Sequence, residues 1–336
     1  MSKDDSGLSI IMPIYNCINY IDRSITSIIN QTFDKWELIL IDDGSTDGSG
    51  KKCDLFAQMD RRITVIHQVN AGVSAARNSG LNNANGSYVM FVDADDYLSE
   101  NYCEQLMQCT AKVDLVIGGY TQVTKQTQCV FFVDSQCISL DNIGTVFGEL
   151  YAKHLTNAPW AKVYRRLIIG GQRFDESVQL GEDLLFNLEY FSKCDKIQLL
   201  NQCGYFYNCI NEGAATKKYR DNDCQQIIEL YKATKMFMKQ YCGEINSNIV
   251  EKTLCLTGLY LIQSICDSKK SFLEKIKKTN ELLESLEFRY CCSLRYGFTI
   301  QQRIPQQLAK YKLVRMLGMF FCVKRFIRVL MRKWMG

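Results

Sequence analysis

Two apolar runs in the first hundred residues stop at acidic turns. Trp36 to Ile41 runs into Asp42-Asp43-Gly44-Ser45-Thr46-Asp47, and Tyr88 to Val92 runs into Asp93-Ala94-Asp95-Asp96. Short uninterrupted apolar runs bounded by turn residues read as buried strands. Leu8 to Met12, ended by Pro13, and Ile63 to His67 read the same way. Between these runs lie helical patterns: Ile18, Ile21, Ile25, Ile28 and Ile29 at helical spacing, then Gly48 to Met59, then Val73 to Asn83. Strands alternating with helices predict an α/β sheet. Open sheets of this kind bind ligands beyond the carboxyl ends of their strands, so both acidic turns belong on one working edge.

Several carboxylates in one crevice repel one another unless a cation or hydrogen-bond donors offset them. A single turn of this type reads most simply as Asp and Ser capping the next helix. Two turns on successive strands favour a ligand site, and a hard divalent ion such as magnesium or manganese suits oxygen ligands shared with phosphates.

The chain's 336 residues, 47% of them hydrophobic, supply ample core. Its only histidines, His67 and His154, exclude a three-His zinc site, and any Ser/His/Asp triad would rest on one of the two. The 16 cysteines include no C-x-x-C pair, and the first residues, Met-Ser-Lys-Asp-Asp-Ser, lack an apolar stretch. The expectation is a reduced, cytoplasmic protein whose cysteines act as small buried hydrophobes.

Five segments carry a family resemblance: Ser9-Ile-Ile-Met-Pro13-Ile-Tyr15-Asn16, Gln31-Thr-Phe, Glu37-Leu-Ile-Leu-Ile-Asp42-Asp43-Gly-Ser45-Thr-Asp47, Asn70-Ala-Gly72-Val-Ser-Ala-Ala-Arg77-Asn78-Ser-Gly80 and Phe91-Val-Asp93-Ala-Asp95-Asp96. In this order they resemble the family 2 glycosyltransferases with the GT-A fold, of the bacterial polysaccharide type. Trp160-Ala-Lys162-Val-Tyr164-Arg165-Arg166 and Gly181-Glu182-Asp183-Leu-Leu-Phe186 extend the likeness. It implies a Rossmann-like nucleotide-sugar-binding domain with a mixed central sheet, followed by a helical C-terminal region.

The resemblance also implies roles. Pro13 and Tyr15 line the base pocket, and Asp43 accepts a hydrogen bond from a uracil imide. Arg77 lies near the nucleotide and holds the acidic edge, although an Arg within a helix is more often a structural ion-pair partner. Asp93 meets ribose or metal, Asp95 is the direct metal ligand, and Ala94 between them lies against the donor. Asp96 assists or caps the following helix. Asp183 is the general base, with Glu182 orienting it or the acceptor, although acidic residues also favour first helical turns through the helix dipole. Trp160 and Lys162 fall on the acceptor side, with core packing of Trp160 the competing reading. Where relatives often carry a basic residue after the Tyr-rich strand, this chain reads Tyr205-Phe-Tyr207-Asn208-Cys209-Ile210-Asn211-Glu212-Gly213. A diphosphate contact there would fall to Lys217 or Lys218.

The net charge of +4 is unevenly spread. Residues 301–336 hold nine basic residues and no acidic one, leaving 31 basic against 36 acidic in residues 1–300, a net of −5. Val323, Phe326, Ile327, Leu330, Met331 and Trp334 recur at helical spacing, with Lys324, Arg325, Arg328 and Arg332 on the other side. The longest uncharged run of this tail, Met316 to Val323, is eight residues, against roughly 20 needed to cross a bilayer. A helix over 310–335, beginning after Pro305, is therefore expected to lie on an anionic membrane surface. Packing on the catalytic domain or a partner is the alternative, and the acidic remainder argues against nucleic acid.

The sequence thus predicts a catalytic domain over 1–215, a helical region over 216–300 and a membrane-associating helix over 301–336. The predicted activity is metal-dependent, inverting transfer of a sugar from a nucleotide donor, most simply a UDP-sugar, to a glycan or lipid-linked saccharide. Manganese or magnesium is the cofactor, the location the inner face of the cell membrane, and a homo-oligomer stays open. The rivals are a phosphohydrolase with an Asp nucleophile, which shares the strand-Asp-x-Asp signal, and a non-catalytic nucleotide-sugar-binding module.

Overall fold

The computed structural model describes residues 7–210, 222–243, 247–322 and 324. It divides into two compact units, Met1–Glu212 with Lys239–Ile245, and Gly213–Met238 with Asn246–Gly336.

The first unit contains twelve strands among the described residues: β1 (Leu8–Ile14), β2 (Trp36–Asp42), β3 (Ile63–His67), β4 (Tyr88–Phe91), β5 (Tyr97–Leu98), β6 (Leu115–Ile117), β7 (Tyr120–Val123), β8 (Gln128–Phe131), β9 (Gln136–Ser139), β10 (Lys162–Arg165), β11 (Lys196–Leu199) and β12 (Tyr205–Asn208). Eight of them form one sheet in the order β3-β2-β1-β4-β10-β6-β11-β9. β1 to β4 are parallel, β10 runs antiparallel between β4 and β6, and β9 runs antiparallel to β11, so the sheet is mixed. A smaller sheet has the order β5-β12-β7-β8.

Parallel strands covered on both faces require apolar side chains on both sides, which explains the unbroken runs in β1 and β2. Leu8, Ile10, Ile11, Met12, Leu38, Leu40 and Ile41 are all fully buried. Each such side chain contributes about 1.5–3 kcal/mol through burial, so the edge that carries the acidic turns rests on a rigid platform. The helix Val73–Asn83 lies close on this sheet at Gly80, where an added Cβ would come within 2.3 Å of Ile11 Cγ2.

Three expectations are corrected. Asp96 caps no helix: the two-residue strand β5 follows it and pairs with β12. Pro305 marks no helix boundary: it sits inside the helix Ile300–Lys310, which starts at a Thr299–Gln302 capping box. The segment 310–335 is not one continuous helix either. The chain turns at Tyr311–Lys312, where Lys312 has φ 53°, before helical conformation resumes over 314–322. The amphipathic stretch beyond it, apart from Lys324, lies outside the described residues, as do Lys217, Lys218 and Asn211 to Gly213.

The second unit is helical, with Ser247–Asp267, Phe272–Glu284 and Leu286–Ser293 preceding Ile300–Lys310. Within Ser247–Asp267, residues Asn248–Asp267 are long and apolar enough to cross a membrane, but half of that stretch is buried in the protein. Val250, Cys255, Ile262 and Ile265 are fully buried, as in the core helix of a helical unit.

Candidate active site

The loops after β1 and β2 are stitched together by their own polar residues. Asn16, in the left-handed region at φ 48°, accepts from Thr46 N, while its own N–H donates to Ser45 Oγ. Asp47 accepts from Ile18 N and from Ser49 N. Gly44, at φ +73°, passes so close to Asn70 that a Cβ would lie 2.9 Å from its N. Pro13 and Tyr15 stand at this end of β1, and Tyr15 is 54% exposed, which leaves its ring face accessible for stacking.

Asp43 is only 3% exposed. Its carboxylate accepts from Gln68 Nε2 (2.8 Å), Ala71 N (2.8 Å) and Gly72 N (2.9 Å), and so fixes the entrance of the helix Val73–Asn83. A carboxylate has about four lone-pair sites. Three are used here, leaving capacity for one further donor. Its neighbour Asp42 accepts from Ser45 N and from His67 Nδ1 (2.8 Å), and His67 Nε2 lies 3.0 Å from Asp54. Hydrogen bonds to Asp42 and Asp54 raise the His67 pKa.

The second acidic turn meets Asp183 through Arg77. The guanidinium is buried, with Nη2 donating to Asp93 Oδ1 (3.1 Å), Nη1 to Asp183 Oδ1 (2.6 Å) and Glu182 Oε1 3.8 Å from Nη1. The helix Glu182–Phe191 presents the two acids in its first turn. Asn78, one residue past Arg77, clasps the approach to that helix by bonding both N–H and C=O of Phe174. The arginine is thus a buried ion-pair partner, and it joins the acidic edge to the candidate base, a link the sequence did not offer.

Burial pushes the Asp183 carboxyl up to about 8, with Glu182 and Asp93 adding to the rise and Arg77 opposing it. The side chain is still about 20% accessible, so the group is partly reachable from solvent. A carboxyl poised near neutrality beside a guanidinium is suited to taking a proton.

Asp96 is fully buried and serves the scaffold. It accepts from Tyr205 Oη (2.6 Å) and Asn208 N (2.8 Å), and burial together with Asp93 and Asp95 raises its pKa well above the usual carboxylate range. Ala94 is 7% exposed.

Trp160 and Lys162 do not form an acceptor platform. Trp160 is 7% exposed, stacked on Tyr205 at 4.7 Å and on Tyr207 at 5.4 Å. Lys162 is fully buried, its ammonium donating to Ala158 O and Trp160 O, and burial lowers its pKa to about 7 against the pull of Asp183. Lys162 is buried because β10 lies between two other strands, and Trp160, two residues before it, is covered by Tyr120, Tyr205 and Tyr207.

The donor set available to a cation is oxygen alone: Asp93 and Asp95 at the end of β4. Among the described residues no three His, Cys, Asp or Glu converge to hold a metal. Two carboxylates fit magnesium or manganese, which complete their shells with phosphate oxygens and water.

A mixed α/β sheet with acidic turns beyond the carboxyl ends of its parallel strands is the architecture of the GT-A glycosyltransferase fold. Residues 9–136 match the sequence profile of Glycosyl transferase family 2. The glycosyltransferase GlyA of Streptococcus pneumoniae is 33% identical over 235 residues, 67% of this chain and 34% of GlyA, so the match spans about a third of that relative's length. Staphylococcus aureus TarS 1–349, solved with UDP-GlcNAc, superposes with a TM-score of 0.62 at 18% identity, covering 95% of this chain and 91% of TarS 1–349. The mannosyltransferase PcManGT of Pyrobaculum calidifontis, solved with GDP-Man and Mn2+, gives 0.51 at 15% identity, covering 95% and 86%. Residues 9–136 form a glycosyl transferase family 2 domain, and the phosphohydrolase reading falls with that assignment.

The sequence did not single out Gln68, Tyr205 or Asn208 as site residues. Tyr205 and Asn208 stood out only as lacking a basic neighbour, because their partners lie more than a hundred residues upstream.

Proposed function

We propose that this chain catalyses inverting, metal-dependent transfer of a sugar from a UDP-sugar to a hydroxyl of a glycan or lipid-linked saccharide. The carrying observation is the Arg77 bridge between Asp93 and Asp183. It holds a base of raised pKa at a fixed place relative to the donor edge. Asp183 takes the proton of the acceptor hydroxyl as its oxygen bonds to the anomeric carbon; the bond from sugar to diphosphate breaks, and the nucleoside diphosphate leaves with that electron pair. Asp43 receives the uracil imide N–H at its remaining acceptor site, and Tyr15 lies along the base. Asp93 and Asp95 would hold the manganese or magnesium ion, which when bound supplies charge neutralisation for the leaving diphosphate. The TarS and PcManGT complexes, with UDP-GlcNAc in one and GDP-Man and Mn2+ in the other, support this class of donor and ion. A donor panel assayed for nucleoside diphosphate release, with and without manganese and with lipid-linked acceptors, tests the reading. Release that needs neither a sugar acceptor nor a metal overturns it, and binding of UDP without donor turnover points to a non-catalytic module.

The same reading places the enzyme at the inner face of the cell membrane through its basic tail. In support, the helical stretch 314–322 leaves Met316 and Met319 50% and 61% exposed. The sequence continues their phase into Val323, Ile327 and Trp334. Removing 323–336 should abolish sedimentation with phosphatidylglycerol vesicles while the truncated protein binds UDP as well as the full chain; unchanged sedimentation overturns the membrane role.

A further inference from the structure

The Asp93–Asp96 turn concentrates three carboxylates within four residues, and their mutual repulsion tends to splay it. It is held from β12. Tyr205, fully buried, accepts the N–H of Asp93 at its Oη (3.2 Å) and donates from the same oxygen to Asp96 Oδ2 (2.6 Å). Asn208 gives its backbone N–H to Asp96 Oδ1 (2.8 Å) and its side-chain amide to the C=O of Asp95 (3.1 Å). That carbonyl also receives Arg23 Nη2 at 3.4 Å; the Arg23 guanidinium lies over Tyr97, and Tyr97 stacks on Phe206 of β12 at 4.6 Å. The N–H that opens the Asp93–Asp95 segment and the C=O that closes it are thus both pinned by one neighbouring strand.

We propose that Tyr205 and Asn208 are positioning residues that set the main chain of Asp93 and Asp95 at the spacing a divalent cation needs. A fixed main chain fixes the Cα–Cβ bonds of both carboxylates. The ion then meets ligands already in place, and the repulsion between them is restrained before it arrives. The strand that lacks a basic residue for the diphosphate acts on the donor site through the acidic turn instead. The proposal rests on the reading that Asp93 and Asp95 hold the ion.

Titration of the full chain with Mn2+, followed by electron paramagnetic resonance of the free ion, tests it in wild type, Tyr205→Phe and Asn208→Ala. Outer partners of metal ligands typically govern affinity by about 10- to 100-fold. Tyr205→Phe is expected to raise the Mn2+ dissociation constant by about that factor, and Asn208→Ala, which keeps its N–H to Asp96, by several-fold. The Mn2+ concentration for half-maximal transfer rises in parallel, while kcat at saturating Mn2+ and UDP binding in EDTA stay near wild type. If Tyr205→Phe unfolds, Asn208→Ala alone decides. Equal Mn2+ affinity in wild type and the folded variants overturns the positioning role. A wild-type chain with no Mn2+ affinity, with UDP present as well as without it, overturns the cation reading itself, and the positioning role with it.

Discussion

The two acidic turns look alike in sequence, yet they are stabilised in different ways. At Asp42-Asp43 the carboxylates meet donors from their own and adjoining loops: Ser45, His67, Gln68, Ala71 and Gly72. That turn is closed by Ser45 and by residues 67–72 beside it, and its carboxylates are largely used up in doing so. At Asp93–Asp96 the donors are Arg77 of the preceding helix and, from far along the chain, Tyr205, Asn208 and Arg23. The cost of crowding negative charge is met in one case by the turn itself and the loop after the adjacent strand β3, and in the other by Arg77 together with elements more than 70 residues away. The first arrangement suits a rigid floor for a neutral base; the second suits a site whose charge is completed by a ligand.

The sharpest test of this contrast is Asp183→Asn, which removes the proton acceptor and keeps the shape. Transfer is expected to fall by about 10²- to 10⁴-fold with UDP binding retained. Near wild-type kcat in that variant would show that the Arg77 bridge is scaffolding only.

Arg77→Met comes next. It leaves Asp93 and Asp183 without their shared cation, and breaking a buried pair in this way costs about 3–5 kcal/mol. Urea unfolding should show that loss, whereas Asp47→Asn, at the first turn, should lose far less. Equal losses would erase the distinction between the two turns.

Asp43→Ala is expected to weaken UDP binding and to cost about 1–3 kcal/mol, since Gln68 Nε2 and two backbone N–H groups lose their acceptor. Isothermal titration with UDP and with GDP separates base reading from loop disorder, because only the former changes the preference between them.

The pH dependence follows from the raised Asp183 carboxyl. The base works ionised, so kcat/KM is expected to climb as pH rises toward about 8 and to level off beyond it. Asp183→Glu should shift that limb, whereas a profile flat from pH 6 to 9 would assign proton removal elsewhere.

The smallest effect is expected at His67, whose pKa is raised by Asp42 and Asp54. A folded-state pKa above the unfolded value means that the folded protein binds the proton more tightly. The stabilisation is therefore full below about 6.5 and is lost as pH climbs through the raised value. His67→Gln should flatten that part of the stability curve while leaving transfer intact.

Much of the first unit was legible because its signals are periodic and local. Apolar runs marked β1 to β4, the acidic turns marked their carboxyl ends, and Gly181-Glu182-Asp183 marked a helix start. The same locality misread other positions. Trp160 and Lys162 carry the residue types of a sugar platform, but Lys162 lies on the interior strand β10 and Trp160 under the tyrosines of β12, so both are buried. Pro305 looked like a helix boundary, yet a capping box at Thr299–Gln302 starts the helix upstream of it.

By itself the sequence determined the strand and helix alternation, the acidic edge, the family and the charge asymmetry between body and tail. Those properties are written in residues a few positions apart, where pattern and propensity act directly. Only the tertiary structure decided that Arg77 joins Asp93 to Asp183, 106 residues away, and that Tyr205 braces a turn 109 residues before it. Such partners have no spacing rule, because sheet order sets the distance between them in space and chain position does not.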